Sequence, residues 1–425
     1  MTINDYDSDL ARSGQQEIDW VRRSMPVLAS IEARLTTSGA IKGKRIGISL
    51  VLEPKTANLV LALRNAGAEV SVWAPADCVQ ADVVHALLAE GIKLFANVDA
   101  SEEEDINAAR AFLATAPQIL VDDGARAIRL AHLEFPDVVK NMIGAAEETT
   151  SGVRTLNVMA DASELHIPVV NVSDSRLKFL FDNVYGTGQS CVMAMLDVTN
   201  LQIAGREILV IGYGWVGKGV ALHATALGAR VTVAELDPIK ALQALHDGHK
   251  VKSIMDAAPT TAVVFASTGI EGVITPAHLQ AMADQVILCT AGGGSYEMPM
   301  EFLRSLENQK EIRAEVMEYT LPGGKRVLLI SDGHCINCTA GEGNPIEIMD
   351  LSMSLQASAI EALALNAASL TNGIHPIPEE IENAIAIERL TGAGASIEPM
   401  TPELADAPRR RTRTTTHQDE EKTRW

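Results

Sequence analysis

The chain has 425 residues, 47% of them apolar and 21% charged, a globular composition long enough for two or three domains. Its net charge of −20 excludes the broad basic field that a nucleic-acid surface needs. With a mean hydropathy of +0.10, no uninterrupted apolar run is long enough to span a bilayer. The polar, acidic start MTINDYDSDLARSG lacks the pattern of a signal peptide. Five cysteines (Cys78, Cys191, Cys289, Cys335, Cys338) form no even, closely spaced framework, so the sequence reads as a reduced, cytoplasmic, enzyme-like protein.

Residues 17–36 have the periodicity of an amphipathic helix, and Pro26 within them predicts a break or a kink. From Arg45 onward, apolar runs alternate with helical patterns: strands at 45–51, 69–73, 93–96, 118–122 and 169–172, helices at 55–66, 81–90 and 104–116. That alternation predicts a parallel sheet covered on both faces. A second set begins at Gly205, where EILVIG, RVTVAE, TAVVFAST and QVILCTA are separated by helical stretches. The expected fold class is α/β, with two doubly wound parallel-sheet domains. Residues 346–367 read as a long helix whose Met349, Met353, Leu355, Ile360 and Leu363 form packing surface. The basic cluster at 409–413 lies in a tail of Pro, Thr and charges that cannot bury enough apolar area to fold alone, so disorder is expected there.

GYGWVG supplies Gly212, Gly214 and Gly217 in a G-x-G-x-x-G pattern, directly after the apolar run 208–211 and at the start of a helix near Val216. The first glycine permits the tight turn, the second lets a pyrophosphate approach the backbone, and the third allows close helix–strand packing. RVTVAELD then ends a second strand with Glu235. A carboxylate there accepts hydrogen bonds from a ribose 2′-OH and repels a 2′-phosphate, which favours NAD over NADP. Lys240, five residues later, is the one feature that softens this preference. Residues 205–237 are therefore expected to bind NAD.

At 15–395 the sequence resembles the S-adenosylhomocysteine hydrolases. The matching stretches are DDG at 122–124, EETTSGV at 147–153, VNVSDSRLKFLFDNVYG at 170–186, GYGWVGKG at 212–219, AELDPIKALQA at 234–244 and a Gly-Asn-Pro turn at 343–345. The resemblance implies a substrate-binding domain (1–184 and 345–375), an NAD-binding Rossmann domain inserted in it (185–344), a C-terminal segment (376–425), and a hinge-closed cleft. It implies a chemistry in which the nucleoside 3′-OH is oxidised by resident NAD and the acidified C4′ proton is removed. The C5′ substituent then leaves by β-elimination, water adds, and the ketone is reduced again. It also implies a homo-oligomer, a dimer or tetramer.

Position by position, the resemblance carries the family's catalytic roles onto Asp123, Glu148, Lys178 and Asp182. Glu148 and Lys178 would hold the 2′- and 3′-hydroxyls, with Lys178 helping to deprotonate the alcohol. Asp123 and Asp182 would handle the C4′ proton. Lys178 and Asp182, four residues apart, share one face of a helix. Cofactor contacts are expected at Thr149, Thr150, Ser151, Asn183, Trp215, Val216, Thr268 and Asn337, besides the glycines, Glu235 and Lys240. Substrate contacts are expected at Glu53, Lys55, Thr56, Asn344 and Met349.

The departures are equally specific. Three family histidines are replaced by Val51, Gly293 and Asn344, and a family cysteine by Thr187. Glu53 and Lys55 replace the usual residues of the base pocket, and the family's C-terminal Lys/Tyr tail is absent. Valine has no proton to give and no lone pair to orient water, so its presence should impair water addition more than oxidation and elimination. The leading expectation is an NAD-dependent nucleoside lyase or dehydratase that releases a 4′,5′-unsaturated nucleoside, similar to hydrolase relatives in nucleoside-antibiotic pathways such as the angustmycin step from psicofuranine to decoyinine. Glu53 or His334 would assist the leaving hydroxyl. Two alternatives stay open: ordinary hydrolysis of S-adenosylhomocysteine, and an inactive NAD-binding regulator. Cys335 and Cys338 form a lone C-x-x-C without the second ligand pair that zinc needs.

Overall fold

A computed structural model describes residues 6–96, 98, 100–293, 295–366 and 369–407, so the basic cluster at 409–413 lies outside the described residues. The chain forms two compact units, Met1–Ala386 and Ile387–Trp425. In the second, residues 387–392 and 402–407 are helical. Everything below concerns the first.

Its first sheet contains β1 (Arg45–Ser49), β2 (Glu69–Trp73), β3 (Lys93–Leu94), β4 (Ile119–Asp122), β5 (Gly144–Glu147), β6 (Pro168–Asn171) and β15 (Gly373–Pro376). The order is β15-β6-β5-β4-β1-β2-β3, and every pairing is parallel. β4 and β5 are buried throughout, as expected for strands covered by helices on both faces. β5 escaped the sequence reading because its residues, GAAE, carry almost no β-branched signal. They are small for a packing reason: a Cβ on Gly144 would lie 2.8 Å from the Leu363 side chain of the helix Ile346–Asn366.

The second sheet holds β7 (Glu207–Ile211), β8 (Arg230–Ala234), β9 (Lys250–Val251), β10 (Val263–Ala266), β11 (Val286–Thr290), β12 (Gln309–Arg313), β13 (Val316–Thr320) and β14 (Arg326–Ile330). The order is β12-β13-β14-β11-β10-β7-β8-β9. Six strands run parallel, and β12–β13–β14 add an antiparallel meander that the sequence reading did not foresee. The strand order reverses beside β7, so a crevice opens between the ends of β7 and β10, where nucleotide sites of this topology lie.

The N-terminal helical pattern is two helices, Ser8–Arg22 and Pro26–Ser38, with Pro26 at the first position of the second, where its missing N–H costs nothing. The second helix has no local side-chain cap. Its cap comes from Asp350, whose carboxylate accepts from Val27 N at 3.1 Å and Leu28 N at 2.9 Å. Asp350 sits in Ile346–Asn366, which has the length and apolarity to cross a membrane but is largely buried inside this unit. Within its apolar run, Asp350, Ser352 and Gln356 are buried polar residues with partners of their own. Replacing Asp350 with alanine leaves two helix N–H groups without their acceptor in the core. The expected cost is about 2–3 kcal/mol of unfolding free energy, measured by urea denaturation.

Candidate active site

The expected substrate-side residues lie just beyond the carboxyl ends of adjacent strands: Glu53 after β1, Asp123 after β4, Glu148 after β5, and Lys178 in the segment after β6. The ends of the second sheet supply Gly212, Glu235, Thr268 and Gly292 in the same way. Strand order brings them together, because parallel strands deliver their following loops to one edge. Between the two sets lies one cavity of about 2490 Å³, lined by residues of both sheets. A drug-sized ligand fills roughly 300–1,000 Å³, so this space accommodates a dinucleotide together with a second small molecule.

Lys178 opens a π-helical segment, Lys178–Thr187, that also carries Asp182 and Asn183. The buried Nζ of Lys178 lies 2.9 Å from Glu148 Oε1 and 2.7 Å from Asp182 Oδ2. Ser352 Oγ bridges the same two carboxylates at 2.9 and 3.0 Å, and Gln356 Nε2 donates to Glu148 Oε2. Burial opposes the lysine's charge, but the Asp182 and Glu148 carboxylates outweigh it and hold its pKa above the ordinary value. Burial also raises Glu148, against the pull of Lys178. Lys178 is therefore an ammonium at neutral pH, a geometry for stabilising an oxyanion rather than for removing a proton. Ser352 and Gln356 were missed by sequence reading; two polar residues one turn apart in an apolar helix were the available signal.

Asp123 is set by a second carboxylate cluster. Glu147 Oε1 accepts from Gly124 N at 2.8 Å, Thr149 N at 3.0 Å and Thr149 Oγ1 at 2.9 Å, and its Oε2 accepts from Ala125 N at 3.0 Å. This one side chain ties the loop carrying Asp123 to the loop carrying Glu148. Asp122 accepts from Ser49 Oγ, Asp123 N and Ile128 N. Burial pushes Asp122 up to about 6, and burial with the neighbouring aspartates pushes Glu147 well above the carboxylate range. Asp123 is also raised by burial, against a hydrogen bond from Thr149 and the Lys178 charge.

On the nucleotide side, Gly212 takes φ +92°, and a Cβ on Gly217 would fall 2.0 Å from Gly212 O, so this turn admits glycine alone at both points. Gly214 starts the helix Trp215–Ala226 without a side-chain cap, which leaves its first N–H groups for an anion. Glu235 accepts from Tyr213 N at 2.7 Å through Oε2 and from Leu236 N and Asp237 N through Oε1. Trp215 stacks on Phe179 at 4.6 Å, joining this helix to the π-helical segment, while Val216 lines the cavity. Thr268 gives both its N–H and its hydroxyl to Glu297 Oε2. Lys240 reaches Asp237 only at 4.0 Å and leaves Glu235 unpaired with it. Thr150 bonds Ser173 at 2.9 Å, and Ser151 lies at the exposed mouth.

A family model described as S-adenosyl-L-homocysteine hydrolase matches residues 3–134, and one for the NAD-binding domain of that enzyme matches residues 183–343. The chain is 41% identical over 400 residues to an S-inosyl-L-homocysteine hydrolase of Methanopyrus kandleri, covering 93% of this chain and 94% of that one. It is also 41% identical over 399 residues to an adenosylhomocysteinase of Pyrococcus abyssi, covering 93% and 94%. An adenosylhomocysteinase of Thermotoga maritima is 37% identical over 391 residues, covering 92% and 97%. The chain belongs to the S-adenosyl-L-homocysteine hydrolase family. It is accordingly an NAD-dependent enzyme, and the uncapped glycine turn, the open helix N-terminus and Glu235 are the features that fit the cofactor.

The positions at which this family member departs from the expected histidines also line the cavity. Val51 brings an apolar wall. At Gly293 a Cβ would lie 1.9 Å from Glu297 Oε1, so a buried carboxyl occupies the space where a side chain would begin. Asn344, expected as a substrate contact, has its amide bonded to Asp182, Thr187, Ser190 and Asn337. Glu53 is likewise engaged, capping the helix Pro54–Asn65 through Lys55 N and Thr56 N and pairing with Lys55 Nζ at 2.8 Å. Lys55 also donates to Glu342 O at 2.6 Å. That bonding leaves Glu53 poorly placed as the acid the sequence reading considered. His334 and Met349 line the cavity.

Two outcomes follow from this geometry. Asp122 has a folded pKa above its unfolded value, so the native state holds the extra proton between about pH 4 and 6, and stability from this group falls as pH rises through that window. The unfolding free energy of Asp122→Asn, minus that of the wild type, should therefore increase as pH rises from about 4 to 7 in matched denaturant titrations. Second, Glu235→Ser should weaken NAD binding by about tenfold or more and narrow the preference over NADP, read by calorimetric titration of cofactor-stripped protein.

Proposed function

We propose that the protein is an NAD-dependent nucleoside dehydratase, which eliminates water across C4′ and C5′ and releases a 4′,5′-unsaturated nucleoside, or its equivalent in a keto-sugar nucleoside. The observation that carries this reading is the contrast within one cavity: the Glu148–Lys178–Asp182 cluster and Asp123 are in place, while Val51 puts an apolar side chain where the family resemblance puts a histidine. Bound NAD supplies reversible hydride acceptance at the 3′-carbon. Glu148 and Lys178 hold the vicinal hydroxyls, and the Lys178 ammonium stabilises the oxygen as it loses its proton to a carboxylate. Oxidation at C3′ makes the C4′ proton acidic, and Asp182 is the base we assign to it. Asp123, whose pKa burial raises, is the acid we assign to the departing hydroxyl, so one proton is taken, one is given, and water leaves. Residues 1–184 with 345–375 would form the substrate half and 185–344 the cofactor half, in a homo-oligomer.

A second reading has its own support. Relatives at 37–41% identity across nearly the whole chain carry the names adenosylhomocysteinase and S-inosyl-L-homocysteine hydrolase, which favours hydrolysis of a nucleoside thioether with a rearranged set of acid–base groups. The two readings separate by product mass after incubation of NAD-loaded enzyme with S-adenosylhomocysteine, S-inosylhomocysteine, adenosine and psicofuranine. Under the dehydratase reading a nucleoside product lighter by one water forms and no homocysteine is released; free homocysteine would establish the hydrolase instead. Asp123→Asn should still reduce bound NAD on mixing with substrate, yet form the alkene at least about a hundredfold more slowly, measured by stopped-flow absorbance alongside product analysis.

A further inference from the structure

Asn344 stands where the family resemblance puts a histidine, and every hydrogen-bonding direction of its amide is filled by protein. Its Nδ2 donates to Asp182 Oδ1 at 2.9 Å and to Thr187 Oγ1 at 3.2 Å. Its Oδ1 accepts from Ser190 Oγ at 2.8 Å and from Asn337 Nδ2 at 3.0 Å. A carboxylate can only accept and an amide nitrogen can only donate, so Asp182 on one side and Asn337 on the other fix which way the Asn344 amide points. A neutral imidazole offers one donor and one acceptor and cannot replace this arrangement.

Two further observations extend the arrangement. Gly186, in the same π-helical segment as Asp182, leaves the room that the amide occupies: a Cβ there would lie 2.9 Å from Asn344 Nδ2 and 3.0 Å from its Cγ. Asn337 Oδ1 in turn accepts from Cys335 Sγ at 2.7 Å, and Cys335 Sγ accepts from Gly292 N at 3.1 Å, at the end of β11. A continuous hydrogen-bonded chain thus runs from the turn after β11, on the cofactor side, to Asp182 on the substrate side.

We propose that Asn344 is a positioning residue that fixes the orientation of Asp182 and couples it to Asn337 and the cofactor-side turn, in place of a nucleobase contact. The inference rests on the proposed function, because it gives Asp182 work at the substrate. Asp182 then has one oxygen on Lys178 and Ser352 and the other on Asn344, so neither can rotate without breaking a bond to a neighbour.

The test uses NAD-loaded full-length enzyme and three variants, Asn344→Asp, Asn344→Leu and Gly186→Ala, each checked for folding by thermal unfolding. Formation of the alkene product is followed across pH after mixing with adenosine, inosine or psicofuranine, with reduction of bound NAD recorded as the preceding step, and NAD affinity is titrated separately on stripped protein. An aspartate at 344 can donate to Asp182 only while protonated. Partial burial and the facing Asp182 carboxylate raise the pKa of a carboxyl placed there, so Asn344→Asp should stay within about threefold of wild type near pH 5.5 and fall at least about tenfold by pH 8. Asn344→Leu should be slower at every pH by about tenfold to a hundredfold, with Gly186→Ala between it and wild type. Both should bind NAD about tenfold more weakly through the loss of the Asn337 contact. An Asn344→Asp profile parallel to wild type, or unchanged NAD affinity in both other variants, overturns the proposal. A wild-type enzyme that oxidises none of the nucleosides defeats the functional reading instead, and the NAD affinities then still decide the role of Asn344.

Discussion

One buried ammonium organises the centre of this molecule. Lys178 lies buried between Glu148 and Asp182 at the wall of the cavity, and an ion pair largely taken out of water is stable only where the remaining lone pairs are satisfied. Here they are: Ser352 and Gln356 serve the carboxylates from one side, and Asn344 serves Asp182 from the other. Two donors come from the long helix Ile346–Asn366 and one from the turn before it, so the charge cluster ties that helix and turn to the π-helical segment. A π-helix is uncommon and is found mostly at functional sites, and in this segment it carries Lys178, Asp182 and Gly186.

The cluster also explains which sequence changes the cleft tolerates. Removing a histidine from the cavity wall, as at Val51, changes a surface that contacts ligand and leaves the charge cluster intact. Changing the residue at 344 reaches into the cluster itself, and the amide found there is bonded on all sides. Glu53 and Lys55 show a third pattern, in which two charged side chains in the cleft neutralise each other and close a helix end. Chemically similar departures from a family pattern therefore have different consequences, set by what each side chain touches.

Much of this was legible in the sequence. The two strand–helix alternations gave both sheets, the glycine turn with Glu235 gave the cofactor, and the run 147–186 gave the family. The gaps have physical causes. β5 was hidden because packing against a helix demanded glycine and alanine in place of strand-forming residues. The meander β12–β14 was hidden behind an assumption of purely parallel pairing. Asp350 as a helix cap, Glu147 as a clasp between two loops and Asn344 as a partner of Asp182 were all invisible, since each joins residues brought together only by the fold. Nor did the sequence show the hydrogen bonds that Asn344 and Glu53 make to neighbouring protein groups.

The way the first sheet is assembled bears on the order in which the chain can acquire its structure. Six of its strands are complete by residue 171, but the edge strand β15 and the helix that covers β5 follow the whole second sheet in sequence. During synthesis from the N-terminus, the first sheet emerges lacking an edge, its covering helix and the Asp350 carboxylate that caps Pro26–Ser38. The second sheet has all of its strands between residues 207 and 330 and can close on itself first. Contacts of such long sequence separation are slow to form and leave apolar surface waiting for its partner. The half that emerges from the ribosome first is thus the half whose sheet is completed last along the chain.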